Sequence, residues 1–274
     1  MSVQHYALIL GASSGFGKAT ALKLASQGFG IFGVHLDRAA GMKNVEELKQ
    51  SLTDLNVPYT FWNVNAVDPA QRVQIVAEIS DHFSKNPEST IRLLMHSLAF
   101  GTLKPFVAAD PSQALTQKNI EMTMDVMANS LIYWTQDVVR AGLMKPGGRV
   151  LGLTSAGSTR VLPSYGAVSA AKAALESYCR QLSLELTPYG ITANTIRAGV
   201  THTPALEKIP GNDIIMANAL MRNPNHRLTR PEDVARVISM LVRDEAQWMN
   251  GNVIGVDGGE DAVDLTWWKP ESGS

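Results

Sequence analysis

The chain has 274 residues, 45% of them hydrophobic, which is enough apolar material for the core of one sizeable domain. Lysine plus arginine (24) nearly cancel aspartate plus glutamate (25), so no charge excess recruits nucleic acid or an anionic membrane surface. The single cysteine, Cys179, excludes an intrachain disulfide and is expected as a small buried residue; with no basic-then-apolar leader and no run near the ~20 apolar residues of a membrane span, the expected location is cytoplasmic.

Short apolar runs alternate with helical periodicity along the whole length. YALIL (6–10) reads as a first strand and GKATALKLASQG (17–28) as a helix stopped by Gly28. IFGVHL (31–36) reads as a second strand, NVEELKQSLTDL (44–55) as a second helix and YTFWNV (59–64) as a third strand. A helix over PAQRVQIVAEISDHF (69–83) separates it from the strand IRLLMHS (91–97). One long helix is expected near 116–144, then the strand GRVLGLTS (148–155) after a Pro-Gly-Gly turn. A helix that starts within SYGAVSAAKAALE (164–176) runs to about Tyr189–Gly190, and ITANTIRAG (191–199) follows as a strand. VTHTPALEKIPGND (200–213) is punctuated by proline and reads as irregular, after which PEDVARVISMLVRD (231–244) and GNVIGVDGG (251–259) read as helix and strand. This alternation, without linker or repeat, predicts a single α/β domain over 1–274 with a doubly wound, seven-stranded parallel sheet, the Rossmann fold. Adjacent Trp267 and Trp268 in the tail predict packing on a neighbour, such as another subunit.

LGASSGFGKA (10–19) sits at the first strand-to-helix junction, with glycines at 11, 15 and 17. Glycine lets the backbone turn sharply and approach a pyrophosphate, while the following helix N-terminus offers N–H donors and partial positive charge. In that context the loop predicts a dinucleotide cofactor. At the end of the second strand, Asp37 suits the ribose hydroxyls of NADH, whereas Arg38 suits the 2′-phosphate of NADPH; the acid tips the reading toward NADH.

Tyr165 and Lys172 are seven residues apart, so on one helix both would point within about 20° of each other, two turns apart. A nearby ammonium is expected to lower the phenol's pKa, and the pair can polarise an oxygen and donate a proton. The histidines His35, His82, His202 and His226 show no ligand spacing, and no metal site is expected.

Taken together, GASSGFG, LLMHSLAFG, LGLTSAG, YGAVSAAKAALE, TANTIRAG and GNVIGVDGG resemble, in order, the motifs of the short-chain dehydrogenase/reductase family. Ser155 and Lys172 keep that family's usual separation, but its usual tyrosine slot holds Val168 and the tyrosine stands three residues earlier. Tyr-x6-Lys resembles the enoyl-acyl-carrier-protein reductases, as do HSLAF (96–100) and RAGVTHT (197–203). Hydride addition at C3 of a conjugated thioester puts the oxygen needing stabilisation farther from the hydride acceptor than in a ketone, and three helical residues shift an attachment point by ~4.5 Å.

The resemblance implies NAD(P)H-dependent reduction of the 2,3 double bond of a trans-2-enoyl thioester, carried on acyl carrier protein or coenzyme A, by a homotetramer. It assigns catalysis to Tyr165 and Lys172 with Ser155 in support. Gly11, Ser14, Gly15, Phe16 and Gly17 would line the diphosphate, Asp37 and Arg38 the adenosine ribose, and Asn63 and Val64 the adenine. Ser97, Leu98 and Ala99 would lie near the second ribose, with Gly199, Thr201 and Thr203 closing from a substrate lid at about 200–226, whose methionines (214–223) would cover an acyl chain. His96 would pack beneath the cofactor, and Met127 stands about where ordinary members keep a structural asparagine, with Asn129 nearby. The main alternative is reduction of a 3-oxoacyl thioester or another carbonyl; a non-catalytic dinucleotide sensor is a third reading.

Overall fold

The computed structural model describes residues 4–263, so Trp267 and Trp268 lie outside the described residues. Seven strands form one parallel sheet in the order β3-β2-β1-β4-β5-β6-β7. They are β1 (Gln4–Leu10), β2 (Gly30–His35), β3 (Tyr59–Asn63), β4 (Ser89–His96), β5 (Arg149–Ser155), β6 (Thr192–Ala198) and β7 (Val253–Val256). Helices α1 (Gly15–Ala25), α2 (Ala39–Asp54), α3 (Pro69–Lys85), α4 (Gln117–Met124), α5 (Ser130–Arg140), α6 (Gly166–Glu185), α7 (Asn212–Arg222) and α8 (Pro231–Leu241) connect them.

Alternation along β1 shows why both faces are covered. Tyr6, Leu8 and Leu10 join a core with Ile75, Leu131, Trp134 and Leu175 from α3, α5 and α6, while Ala7 and Ile9 join Leu24, Leu48 and Ile238 from α1, α2 and α8. Strand order reverses between β1 and β4, so the loops after these strands part and leave a crevice at the carboxyl ends of the strands. At the opposite end of the sheet, Arg92 and Arg149 from β4 and β5 donate from Nε to the carbonyls of Val242 and Leu241, both at 2.8 Å. Two cations thereby cap the negative C-terminus of α8.

Two expectations need correction. The long helix of 116–144 is interrupted: α4 stops at Met124, Asp125–Asn129 forms a π-helical turn, and α5 ends at Arg140. Asn129 is occupied there, its Oδ1 accepting from the Tyr178 hydroxyl at 2.8 Å. The segment after β6 is less irregular than its prolines suggest, because α7 begins at Asn212, behind the left-handed Gly211. Cys179 is buried as expected, and burial pushes its thiol up to about 12. No helix of the described residues is long and apolar enough to cross a membrane.

Candidate active site

The glycine loop crosses from β1 to α1 at the switch point. Gly11 donates its N–H to the Val34 carbonyl at 2.8 Å and adopts φ +88, where a Cβ would lie 2.6 Å from the Ser97 carbonyl oxygen. A Cβ on Gly17 would collide with the carbonyl of Gly11, so the first turn of α1 closes directly onto the loop. A Cβ on Gly15 would meet Thr203, which brings the lid side within contact of the loop. Ser14 is the N-cap of α1 but makes no side-chain cap, so the first N–H groups of that helix are left for a ligand. This bare helix start, closed by backbone at Gly11 and Gly17 where a side chain would collide, fits a dinucleotide diphosphate.

At the adenosine end, Asp37 is not a free carboxylate. Its Oδ2 lies 2.9 Å from Nδ1 of buried His35, and its Oδ1 lies over the Cα of Gly41. Asn63 receives the Asp37 N–H and donates to the Asp37 carbonyl, each at 2.9 Å, so its amide braces the end of β2. Val64 packs against the core beside it. Arg38 is exposed and forms no ion pair among the described residues. Asp37 and Arg38 stand side by side after β2, the first with acceptor capacity for a ribose diol and the second suited to a 2′-phosphate.

At the other end of the crevice, a cavity of about 270 Å³ is lined by Phe16, Ala99, Ser155, Tyr165, Gly199, Thr201 and Thr203 together with apolar side chains. These include Phe100, Leu103, Met127, Leu162, Val168, Leu206, Ile209 and Ile215. Sequence-predicted residues from five separate segments therefore meet around one space. Ser97 and Leu98 stay behind it in the turn after β4, where the Ser97 N–H bonds the Leu10 carbonyl. His96 is buried, with Nε2 2.8 Å from the Ser130 hydroxyl, and burial followed by the Lys172 charge lowers it to about 3.

Tyr165 does not lie within the helix. It is the residue before α6, with φ −99 and ψ 1, and only its carbonyl joins the helix, accepting from the Ser169 N–H at 2.8 Å. Ser164, directly ahead of it, is held at φ +59, a left-handed conformation that costs a non-glycine residue about 1 kcal/mol. The ring lies against Gly157, where a Cβ would come within 2.6 Å of its Cε1, and Phe106 covers the backbone of Gly166. Three backbone positions thus aim the phenol.

Burial raises the pKa of Tyr165, and the neighbouring Ser155 hydroxyl only restrains the rise. The expected lowering by lysine is overturned: desolvation dominates, so the phenol keeps its proton and acts as a donor. Among the described residues the buried Ser155 Oγ makes no hydrogen bond, a polar atom beside the phenol. Lys172 is 6% exposed, and its Nζ donates to the Leu153 carbonyl at 2.6 Å. Burial lowers its pKa to about 8, and Glu176 partly opposes this. A lowered lysine is charged below that value and neutral above it. If the ammonium is required, kcat/KM of the free enzyme holds at neutral pH and falls as pH rises through about 8, which a pH–rate profile checks.

Glu260 and Asp261 also line the cavity, and sequence reasoning missed both. The only available signal was two acids directly after the Gly-Gly of the last strand.

A family model described as Enoyl-(Acyl carrier protein) reductase matches residues 11–260. Among curated relatives, "Uncharacterized oxidoreductase YjdA" of Bacillus subtilis (strain 168) is 30% identical over 264 residues, 94% of this chain and 97% of its own. A "1-cyclohexenylcarbonyl-CoA reductase" of Streptomyces collinus is 29% identical over 270 residues, 95% of this chain and 88% of its own. Among solved structures, the enoyl-[acyl-carrier-protein] reductase (NADH) of Aquifex aeolicus VF5 superposes with a TM-score of 0.81 at 22% identity, covering 96% of this chain and 98% of that one. With the sheet order, the glycine cradle and the match over almost the whole chain in agreement, the protein belongs to the short-chain dehydrogenase/reductase family, as an oxidoreductase matched by its enoyl-(acyl carrier protein) reductase model.

Proposed function

We propose that the protein reduces the 2,3 double bond of a trans-2-enoyl thioester. The observation that carries this reading is the placement of the phenol. Tyr165 lines the cavity from the joint ahead of α6, while Val168, at the slot of an ordinary carbonyl reductase's tyrosine, lines it with an apolar side chain. Bound NAD(P)H supplies the hydride. The chain's own residues do the rest. Tyr165, protonated because it is buried, donates a hydrogen bond to the enolate oxygen as charge develops there, where a preorganised donor has most effect. Lys172, fixed by the Leu153 carbonyl, holds the nicotinamide ribose hydroxyls and adds positive charge. Ser155 offers its unpartnered hydroxyl to the thioester carbonyl or to a water. Leu206, Ile209 and Ile215 of the lid line the cavity together with Phe100, Leu103 and Leu162 and give an acyl chain an apolar wall.

Similarity to a relative named for a cyclohexenylcarbonyl-CoA substrate supports a conjugated thioester and admits coenzyme A as carrier. Ser155 beside Tyr165 favours a second reading, carbonyl reduction, since a hydroxyl and a phenol can share a ketone oxygen. A homotetramer in the cytoplasm belongs to the same proposal. Among the described residues Leu184, Trp248 and Met249 are exposed and β7 is an edge strand of the sheet, where a second copy can pack. The deciding experiment follows nicotinamide oxidation with an enoyl-CoA and a 3-oxoacyl-CoA of equal chain length, each with NADH and with NADPH. Turnover of the enoyl substrate alone is expected. Turnover of the oxo substrate alone would replace this proposal with the second reading.

A further inference from the structure

The segment between β6 and α8 covers the cavity, and the structure holds it in an unusual way. Among the described residues, no hydrogen bond or ion pair joins 202–221 to any residue outside 200–223. The polar contacts there run inside the segment, as from Asn212 Nδ2 to the Ile209 carbonyl at 3.1 Å and between His202 and Glu207 at 3.3 Å. Apart from apolar packing, the lid is held at its ends. Both ends meet one side chain. Glu260 accepts the Val200 N–H on Oε2 at 3.1 Å and the Arg222 Nη2 on Oε1 at 3.3 Å.

The turn that carries Glu260 adds backbone anchors to the same two ends. Gly199 donates to the Val256 carbonyl at 3.1 Å, Asn223 to the Asp257 carbonyl at 2.8 Å and Asn225 to the Gly258 carbonyl at 2.9 Å. Gly258 and Gly259 have φ of +66 and +91, and side chains on them would press into Asn223, Asn225 and Pro224. Glu260 is 2% exposed, so its charge is removed from water and is satisfied only by what the lid's ends provide. A carboxylate bonded to both ends of a segment otherwise held by apolar contacts controls whether that segment is seated.

We propose that Glu260 is a positioning residue that latches both ends of the lid and thereby sets the shape and closure of the acyl cavity. Its carboxylate fixes Val200, and with it Thr201 and Thr203 over the cofactor side, while Arg222 fixes the end of α7, whose Ile215 lines the cavity. This inference rests on the lid covering the cavity and not on which thioester is reduced.

The test is hydrogen exchange on the full chain, read by mass spectrometry, for the parent protein and for E260A, E260Q and R222M. In E260A, amides of 199–222 exchange about tenfold faster or more, the loss expected when charge-assisted hydrogen bonds are removed, while β1 and β4 keep their protection. E260Q retains an oxygen for the Val200 N–H and loses the charge that pairs with Arg222. It and R222M therefore loosen 212–223 and leave 199–203 protected. In the assay, E260A raises KM for the thioester by a larger factor than it lowers kcat.

Unchanged exchange across 199–222 in E260A, or an increase of equal size throughout the sheet, overturns the latch. If E260A does not fold, the matched or unmatched patterns of E260Q and R222M decide in the same way. An exchange pattern as described with no enoyl turnover would retain the latch and reject the substrate assignment.

Discussion

Replacing Tyr165 with Phe lowers turnover of the enoyl thioester by roughly 10²–10³-fold, the size of effect seen when one donor to a developing oxyanion is removed. Affinity for NAD(P)H should remain close to that of the parent protein, because the ring still rests on Gly157 and the glycine loop is not touched. The two readouts are separate: steady-state nicotinamide oxidation for turnover, and a fluorescence titration of the reduced cofactor for binding. Burial keeps the phenol protonated, so the deficit should be nearly constant between neutral pH and the fall set by Lys172. A variant that turns over like the parent would remove Tyr165 from the mechanism. It would then return attention to Ser155, another polar residue lining the cavity.

Gly17→Ala is expected to abolish cofactor binding. The added methyl would collide with the Gly11 carbonyl and crowd the Ala12 Cα at 3.1 Å, and both are backbone atoms that no rotamer change can move aside. Relief requires α1 to shift away from the loop. The N–H groups at the helix start then leave the diphosphate, so the loss in affinity should exceed a hundredfold, or about 3 kcal/mol. Titration with NADH and NADPH measures it. The comparison variant is Gly28→Ala, where a Cβ meets nothing within 4 Å and the strain comes only from φ +85; it should cost stability and spare binding.

The sheet was legible because each strand is a short apolar run between turn residues, and all seven appear within a few residues of the expected spans. The glycine loop was legible for the same local reason. The π turn at Asp125–Asn129 was not, since the extra residue it accommodates leaves no gap in the helical pattern and no glycine or proline marks it. Helix α7 was hidden behind Pro204 and Pro210, which punctuate the segment ahead of it and not the helix itself. The seven-residue spacing of Tyr165 and Lys172 suggests one shared helix face, whereas Tyr165 stands ahead of α6 and only Lys172 lies inside it. Asp37 was read by its charge, whereas His35, the last residue of β2, contacts that carboxylate. Glu260 acts through segments thirty-eight and sixty residues away in the chain, a relation that no local pattern contains.

Because Tyr165 stands on the joint ahead of α6, the phenol and the ammonium belong to different mechanical parts. Lys172 is locked to the sheet by a strand carbonyl, while the tyrosine follows the course of the loop that leads into the helix. Changes confined to residues 156–164 would therefore move the phenol and leave the ammonium in place.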